Sequence, residues 1–303
     1  MAPLGLARAV LTSGVAVSAA TSQGFTTGAV GADNEGGASN ANHAYAQIDP
    51  NDGGNNHTNS SDVSIVTWFR GLPGDMNGGD FGMIWQFVRG DMASGGTRTI
   101  EVYIDRTSSN KKFNAFFICG GASRTATKDY SDNATLDAAL LDGEWHCIML
   151  RISGTGANCE FYLDGVDQSI SHPANASGTI DLDDSDAEWN MSAFSGAFPG
   201  AGAAWDIGPT WIYDTAIDFT DSSVRAFYFN ASNTDGYVDG GTQGTSGGAT
   251  RPDLYLYNEG SGVENGGNLT ATIRDITNGS GSVTDNDNTN GPGSGNTRSS
   301  ANP

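Results

Sequence analysis

From residue 63 onward, apolar and β-branched runs alternate with stretches of Gly, Asn, Ser, Thr and Asp. Residues 64–70, 83–88, 99–104, 113–119, 145–152, 159–163, 205–209 and 210–214 each read as a strand, and 253–257 and 268–273 add two more. Several of these runs alternate apolar with polar, the mark of a strand with one face buried. Asp164-Gly165, between 159–163 and Val166, predicts a tight two-residue hairpin. Between 24 and 60, apolar positions at Phe25, Val30, Tyr45 and Ile48 predict one or two early strands. One short helix is expected, with Thr220 as its cap, Asp221 at its positive end, and Val224, Phe227 and Tyr228 on one face. Strands at short regular spacing with turn residues between them predict two packed sheets. The expected fold is all-β: a two-sheet antiparallel jelly-roll sandwich with one short helix, an N-terminal arm and a C-terminal tail.

The chain divides into an arm (1–23), a sandwich domain (24–232), and a Gly/Ser/Asn-rich extension with two strands and a polar end (233–303). The arm is mildly apolar, but Arg8 interrupts it and Ser, Thr and Gly dilute it, so it is read as an ordered arm rather than a cleaved leader. The end from Thr284 to Pro303 is polar and expected to be disordered on its own. No run is long enough to span a membrane as a helix.

Composition sharpens this picture. The 43 glycines among 303 residues suit turns and not long helices. The net charge is −21, from 14 basic and 35 acidic residues, which argues against nucleic acid and anionic membranes as partners. It fits a solvated surface or one that takes up cations. Cys119, Cys147 and Cys159 show no disulfide framework and no zinc spacing. They read as small buried hydrophobes, with a Cys147–Cys159 bridge across a hairpin as the alternative.

Asp142-Gly143-Glu144-Trp145-His146, followed by Phe161-Tyr162-Leu163-Asp164-Gly165, resembles the "D-G-x-W-H" strand start and "Y-x-D-G" hairpin of laminin-G-like and pentraxin-like members of the concanavalin A-like group. The strand at 63–70 resembles that group's early strand. Ile207-Gly208 through Tyr213-Asp214, Ala216-Ile217 and the helix to Tyr228 resemble its closing strand and helix. The resemblance spans residues 24–230 and implies structural roles for Trp145, His146, Tyr162, Asp164 and Gly165. In these roles Trp145 anchors the core between the sheets and Asp164-Gly165 sets the hairpin register. Pro252-Asp253-Leu254-Tyr255-Leu256, Asn265-Gly266-Gly267-Asn268, residues 277–285 and the start Pro3-Leu4-Gly5-Leu6-Ala7-Arg8 are similar to laminin-G-like proteins of bacteriophage particles.

Several groups are candidates for chemistry. Glucanases of this fold carry an E-x-D-x-x-E strand, which is missing here. Glu101 and Asp105 share a strand face by their even spacing and read as a solvated outer face. Asp181, Asp183, Asp184, Asp186 and Glu188 form an acidic loop, either solvated or a calcium site, since hard cations need several oxygen ligands. Residues 285–291 echo such a loop more weakly. Trp189, Phe194, Phe198 and Trp205 could form an aromatic platform for a sugar, or cover a loop-closed core. His146 reads as a packing or hydrogen-bonding residue, and His43, His57 and His172 have no partner pattern. With no G-x-S-x-G elbow and no phosphate-cradling loop, the expectation is a non-enzymatic protein. The first expectation is a structural or decoration protein of a phage virion, held to other virion proteins or to copies of itself through its ends. The alternative is an extracellular, carbohydrate-binding and calcium-dependent module, or a tail or fibre adhesion protein that binds glycans.

Overall fold

A computed structural model describes residues 25–26, 45–49, 58–71, 81–89, 97–106, 111–155, 159–182, 188–191, 205–233, 236–238, 245, 248–250, 252–257, 272–275, 282–286 and 297–298. The arm at 1–23 lies outside them. The chain is an all-β, two-sheet antiparallel jelly-roll sandwich with two short helices among the described residues.

One sheet has nine strands. Its path runs β10 (Val166–Asp167), β9 (Glu160–Leu163), β8 (His146–Ser153), β3 (Asp62–Gly71), β12 (Trp205–Tyr213), β1 (Phe25–Thr26) and β16 (Thr297–Arg298). β13 (Leu254–Tyr257) pairs with the second half of β12, and β14 (Thr272–Asp275) pairs with β13. The other sheet orders β15 (Ser282–Asn286), β2 (Tyr45–Asp49), β11 (Glu188–Met191), β4 (Phe81–Arg89), β5 (Thr97–Asp105), β6 (Lys112–Cys119) and β7 (Ala122–Asp129).

The core follows from the two-residue period of strands. Val63, Ile65 and Phe69 of β3, and Ile148, Leu150 and Ile152 of β8, face the second sheet. There they meet Ile100, Val102 and Ile104 of β5 and Phe113, Ala115 and Phe117 of β6. Phe113 stacks on Phe161, with centroids 4.0 Å apart. The alternate residues Val66, Trp68, Cys147, Met149, Trp211 and Tyr213 form a second cluster on the far face of the nine-stranded sheet. Tyr255 of β13 joins it from the same sheet, and Phe219, Tyr228 and Tyr237 pack against it. The central strands of this sheet are therefore buried on both faces, which is why 65–66, 68–69 and 147–150 are apolar at consecutive positions.

Two-sided burial corrects the place of Trp145. It is half-buried against this outer cluster, with the Arg70 guanidinium 5.5 Å from its ring centroid, and does not lie between the sheets. The tryptophans buried with the inter-sheet core are Trp85 and Trp189. The Cys147–Cys159 alternative also fails: all three thiols are free. β8 pairs Arg151 with Glu160, so Cys159 falls next to Ile152, five residues from Cys147. At strand rise that is roughly 17 Å, far beyond disulfide reach.

Other differences have local causes. α2 (Ser222–Arg225) is capped by Asp221, whose carboxylate accepts from Ser223 N, while Thr220 donates to Asp218 instead. α1 (Ala134–Ala139), not foreseen, is capped by Asn133 and buries Leu136. The runs 205–209 and 210–214 form one strand whose register shifts between Ile207 and Thr210, where Pro209 has no N–H to give the ladder. Part of the polar end expected to be disordered is extended: β15 pairs with β2, and β16 with β1. A sheet edge accepts an extended segment through backbone hydrogen bonds whatever its side chains.

Candidate functional site: the outer face of the seven-stranded sheet

Period two also fixes what the seven-stranded sheet presents on its far side. Opposite the inward residues of β5 stand Glu101, Tyr103 and Asp105; opposite those of β6 stand Lys112, Asn114, Phe116 and Ile118. Register sets them in rows: Glu101–Phe116–Thr125, Tyr103–Asn114–Thr127 and Asp105–Lys112–Asp129. The first row continues across β4 to Gln86, and in register to Asn190 of β11 and Gln47 of β2.

At the β4 end this face is closed. Gln86 is 0% and Glu101 2% exposed, which corrects the expectation of a solvated Glu101. The carboxylate is held by its neighbours. Gln86 Nε2 donates to Glu101 Oε1 at 2.8 Å, and Arg98 Nη1 lies 3.2 and 3.3 Å from the two carboxylate oxygens. Residues three apart on a regular strand point to opposite faces. A register shift between Phe87 and Val88 puts Val88 opposite Arg98 and lets Arg98 reach Glu101. Burial pushes the Glu101 pKa above its usual 4.5, against the opposing pull of Arg98 and Gln86. Gln86 Oε1 is buried and has no hydrogen-bond partner among the described residues.

Toward β6 and β7 the face opens. Tyr103 and Phe116 are half-buried, at diagonal positions on neighbouring strands, and Thr125 is exposed. The Arg98 guanidinium lies 5.7 Å from the Phe116 centroid, a cation–π distance. Asn114 Oδ1 accepts from Thr127 Oγ1 at 2.9 Å. Burial, with Glu101 and Asp105 nearby, pushes the Tyr103 phenol up to about 12, so it stays neutral. Two half-buried aromatic rings, one of them already under the Arg98 guanidinium, stand beside hydroxyls and an amide, so ring contact and hydrogen bonding are available together.

The residues singled out from sequence lie elsewhere. Trp189 is fully buried, 4.8 Å from Phe87 and 6.3 Å from Trp85 between ring centroids. It is a core residue, as in the alternative of aromatics that cover a core, and takes no part in an exposed platform. Phe194 and Phe198 lie outside the described residues. Trp205 sits in β12 opposite Gly71, and its side chain is likewise outside them. Asp181 pairs with Arg89. Asp183, Asp184 and Asp186 fall outside the described residues, and Glu188 is placed by its backbone alone, opposite Val88. Among the described residues no group of three or more His, Cys, Asp or Glu side chains is placed to hold a metal.

The hairpin residues come together as a structural lock. Asp164 and Gly165 both have positive φ, 51° and 73°, the geometry of a type I′ turn. Asp164 accepts from Cys147 N at 2.8 Å and faces His146 Nδ1 at 2.6 Å, while Nε2 faces Asp142 at 3.1 Å. Burial of the imidazole lowers its pKa, but hydrogen bonds and charge from Asp164 and Asp142 outweigh this and hold it above the ordinary 6.5. Tyr162 packs on the outer cluster, with the Arg225 guanidinium 4.7 Å from its ring centroid. Cys159 Sγ lies 3.4 Å from His172 Nδ1. Burial pushes this thiol up to about 11 and the imidazole down, so the pair stays neutral and offers no nucleophile at neutral pH.

No family model matches the chain, and no curated protein matches it in sequence. Among solved structures it is similar to a heptameric SAP-like pentraxin from Limulus polyphemus, with TM-score 0.43 and 8% identity, covering 72% of this chain and 86% of that one. It is similar to a protein from Bacteroides ovatus whose proposed role is carbohydrate binding, with TM-score 0.46 and 13% identity, covering 93% and 61%. It is also similar to the receptor-binding domain of a botulinum neurotoxin of mosaic serotype C/D, with TM-score 0.36 and 12% identity, covering 54% and 35%. The chain thus spans about a third of the neurotoxin domain's length. These likenesses lie at the level of sandwich architecture and carry no argument about function.

Proposed function

We propose that this chain is a non-enzymatic glycan-binding β-sandwich whose binding face is the open part of the seven-stranded sheet, on β5, β6 and β7. One observation carries this reading: Tyr103 and Phe116 stand half-exposed on adjacent strands, beside Asn114, Thr127 and an Arg98 held in place by Glu101 and Gln86. A face evolved for packing alone would be apolar, and a face left to water would not bury a carboxylate and an amide. Burying such groups is costly, and folds retain costly groups where they serve a site.

A screen of the full chain against immobilised glycans, repeated with Phe116→Ala and Tyr103→Ala, tests the proposal. At least one glycan is expected to bind, roughly tenfold more weakly to each variant, as for aromatic anchors at other interfaces. Equal binding by both variants would move the site elsewhere. The further proposal that the module sits on a phage particle rests on the sequence resemblance of its C-terminal segment. Sedimentation of source material tests it: the protein must travel with a heavy particle at a fixed ratio to the other proteins.

A further inference from the structure

The charges on the proposed face limit what it can hold, and the following inference rests on the glycan-binding reading. Arg98 is engaged by Glu101 through both carboxylate oxygens. Lys112 stands between Asp105 and Asp129 in sheet register, and Asp129 is held below its usual range by hydrogen bonds to Ser131, with Lys112 and Lys128 contributing. In the outer rows themselves Arg98 and Lys112 stand with Glu101, Asp105 and Asp129, and each of these two cations has an acid of its own chain beside it. Beyond the face, the chain carries a net charge of −21, a field that repels polyanions at long range.

We infer that the ligand class is an uncharged polysaccharide, bound through at least two adjacent sugar units, and that carboxylated or sulfated glycans are rejected. The two-unit minimum follows from the rings. Tyr103 and Phe116 lie on different strands and are offset by two residues along the pair, since Tyr103 faces Asn114 and Glu101 faces Phe116. One sugar ring stacked on either aromatic leaves the other uncovered. Thr125 and Thr127, beyond them on β7, then meet hydroxyls of the same chain.

The test pairs dextran and mannan with dextran sulfate and polygalacturonate, using the full chain, Phe116→Ala and Thr125→Arg. Thr125 is exposed, so the second variant obstructs the face without disturbing the core. The expected result is binding of a neutral polysaccharide, changing by less than about twofold between roughly 50 and 500 mM salt, because no net ion pairing is formed. Both variants should weaken it about tenfold while remaining folded at the assay temperature, and a monosaccharide should not compete at equal sugar concentration. Preferential binding of the anionic polymers, steeply weakened by salt and lost in Phe116→Ala, would overturn the inference while keeping the face. Competition by the monosaccharide would overturn the two-unit minimum. Absence of binding to all four polymers, or binding indifferent to both variants, would overturn the glycan-binding reading itself.

Discussion

Replacing Asp164 removes several things at once, and the hairpin geometry says how much each weighs. Its carboxylate accepts from Cys147 N at 2.8 Å and lies 2.6 Å from His146 Nδ1, and its backbone sits at φ 51°. Hydrogen bonds involving a charged group contribute roughly 1.5–3 kcal/mol, and Asp takes the left-handed backbone more readily than Ala, so Ala loses in addition a part of the about 1–2 kcal/mol that this backbone costs. These terms overlap, so Asp164→Ala should lose about 3 kcal/mol. Asn tolerates positive φ and its amide oxygen can still accept from Cys147 N, so Asp164→Asn should lose only about 1 kcal/mol. The pH dependence has a definite sign. His146 binds its proton more tightly in the folded chain than its ordinary 6.5. Its contribution is full below the unfolded pKa and is lost as pH rises through the folded value. The deficit of Asp164→Ala against the parent should therefore be largest near pH 6 and shrink toward pH 9. Urea denaturation followed by tryptophan fluorescence, with both variants at several pH values, measures this directly. Equal losses for the two variants, or a deficit growing with pH, would refute the lock.

Trp189→Ala should cost about 3–5 kcal/mol by leaving a cavity against Trp85 and Phe87, yet leave glycan affinity unchanged where the variant is folded. A selective loss of binding would return Trp189 to the site. Glu101 keeps its proton to higher pH in the folded chain than in the unfolded one, so its ionisation weakens folding as pH rises from 4.5 through the folded value. The stability of Glu101→Gln relative to the parent should accordingly improve across that window; a difference that stays flat in pH-dependent melting contradicts the burial of the carboxylate. The three buried thiols should resist a disulfide reagent in the native chain and all react in denaturant, and rapid native labelling of Cys147 or Cys159 would contradict their raised pKa values.

Runs such as 64–70 and 113–119 were legible as strands because their side chains must be apolar to fill the sandwich. β7, Ala122–Asp129, was not: it is an edge strand, and only Ala126 joins the core cluster, so its sequence is polar. β11 is short and lies beside an acidic stretch, so Trp189 passed for a loop aromatic although it completes the inter-sheet core. The misplacement of Trp145 has a signal that could have been used, since apolar residues at consecutive positions in β3 (65–66 and 68–69) and β8 (147–150) already required both faces of that sheet to be covered. The site itself was half legible. Even spacing placed Glu101 on the outer face, but Ala115 to Cys119 is apolar throughout, so its pattern did not say that Phe116 faces away from the core. The meeting of Arg98 with Glu101 depends on a bulge between β4 and β5, and that register cannot be read from either strand alone.

Hydrogen exchange of the full chain, with and without a saturating neutral polysaccharide that binds it, tests the location of the binding face most directly. Protection should rise in peptides covering residues 97–105 and 112–129 and remain unchanged across 146–163 and 205–213. Protection concentrated at 181–205, or on the nine-stranded sheet, would contradict the assignment of the binding face to β5, β6 and β7.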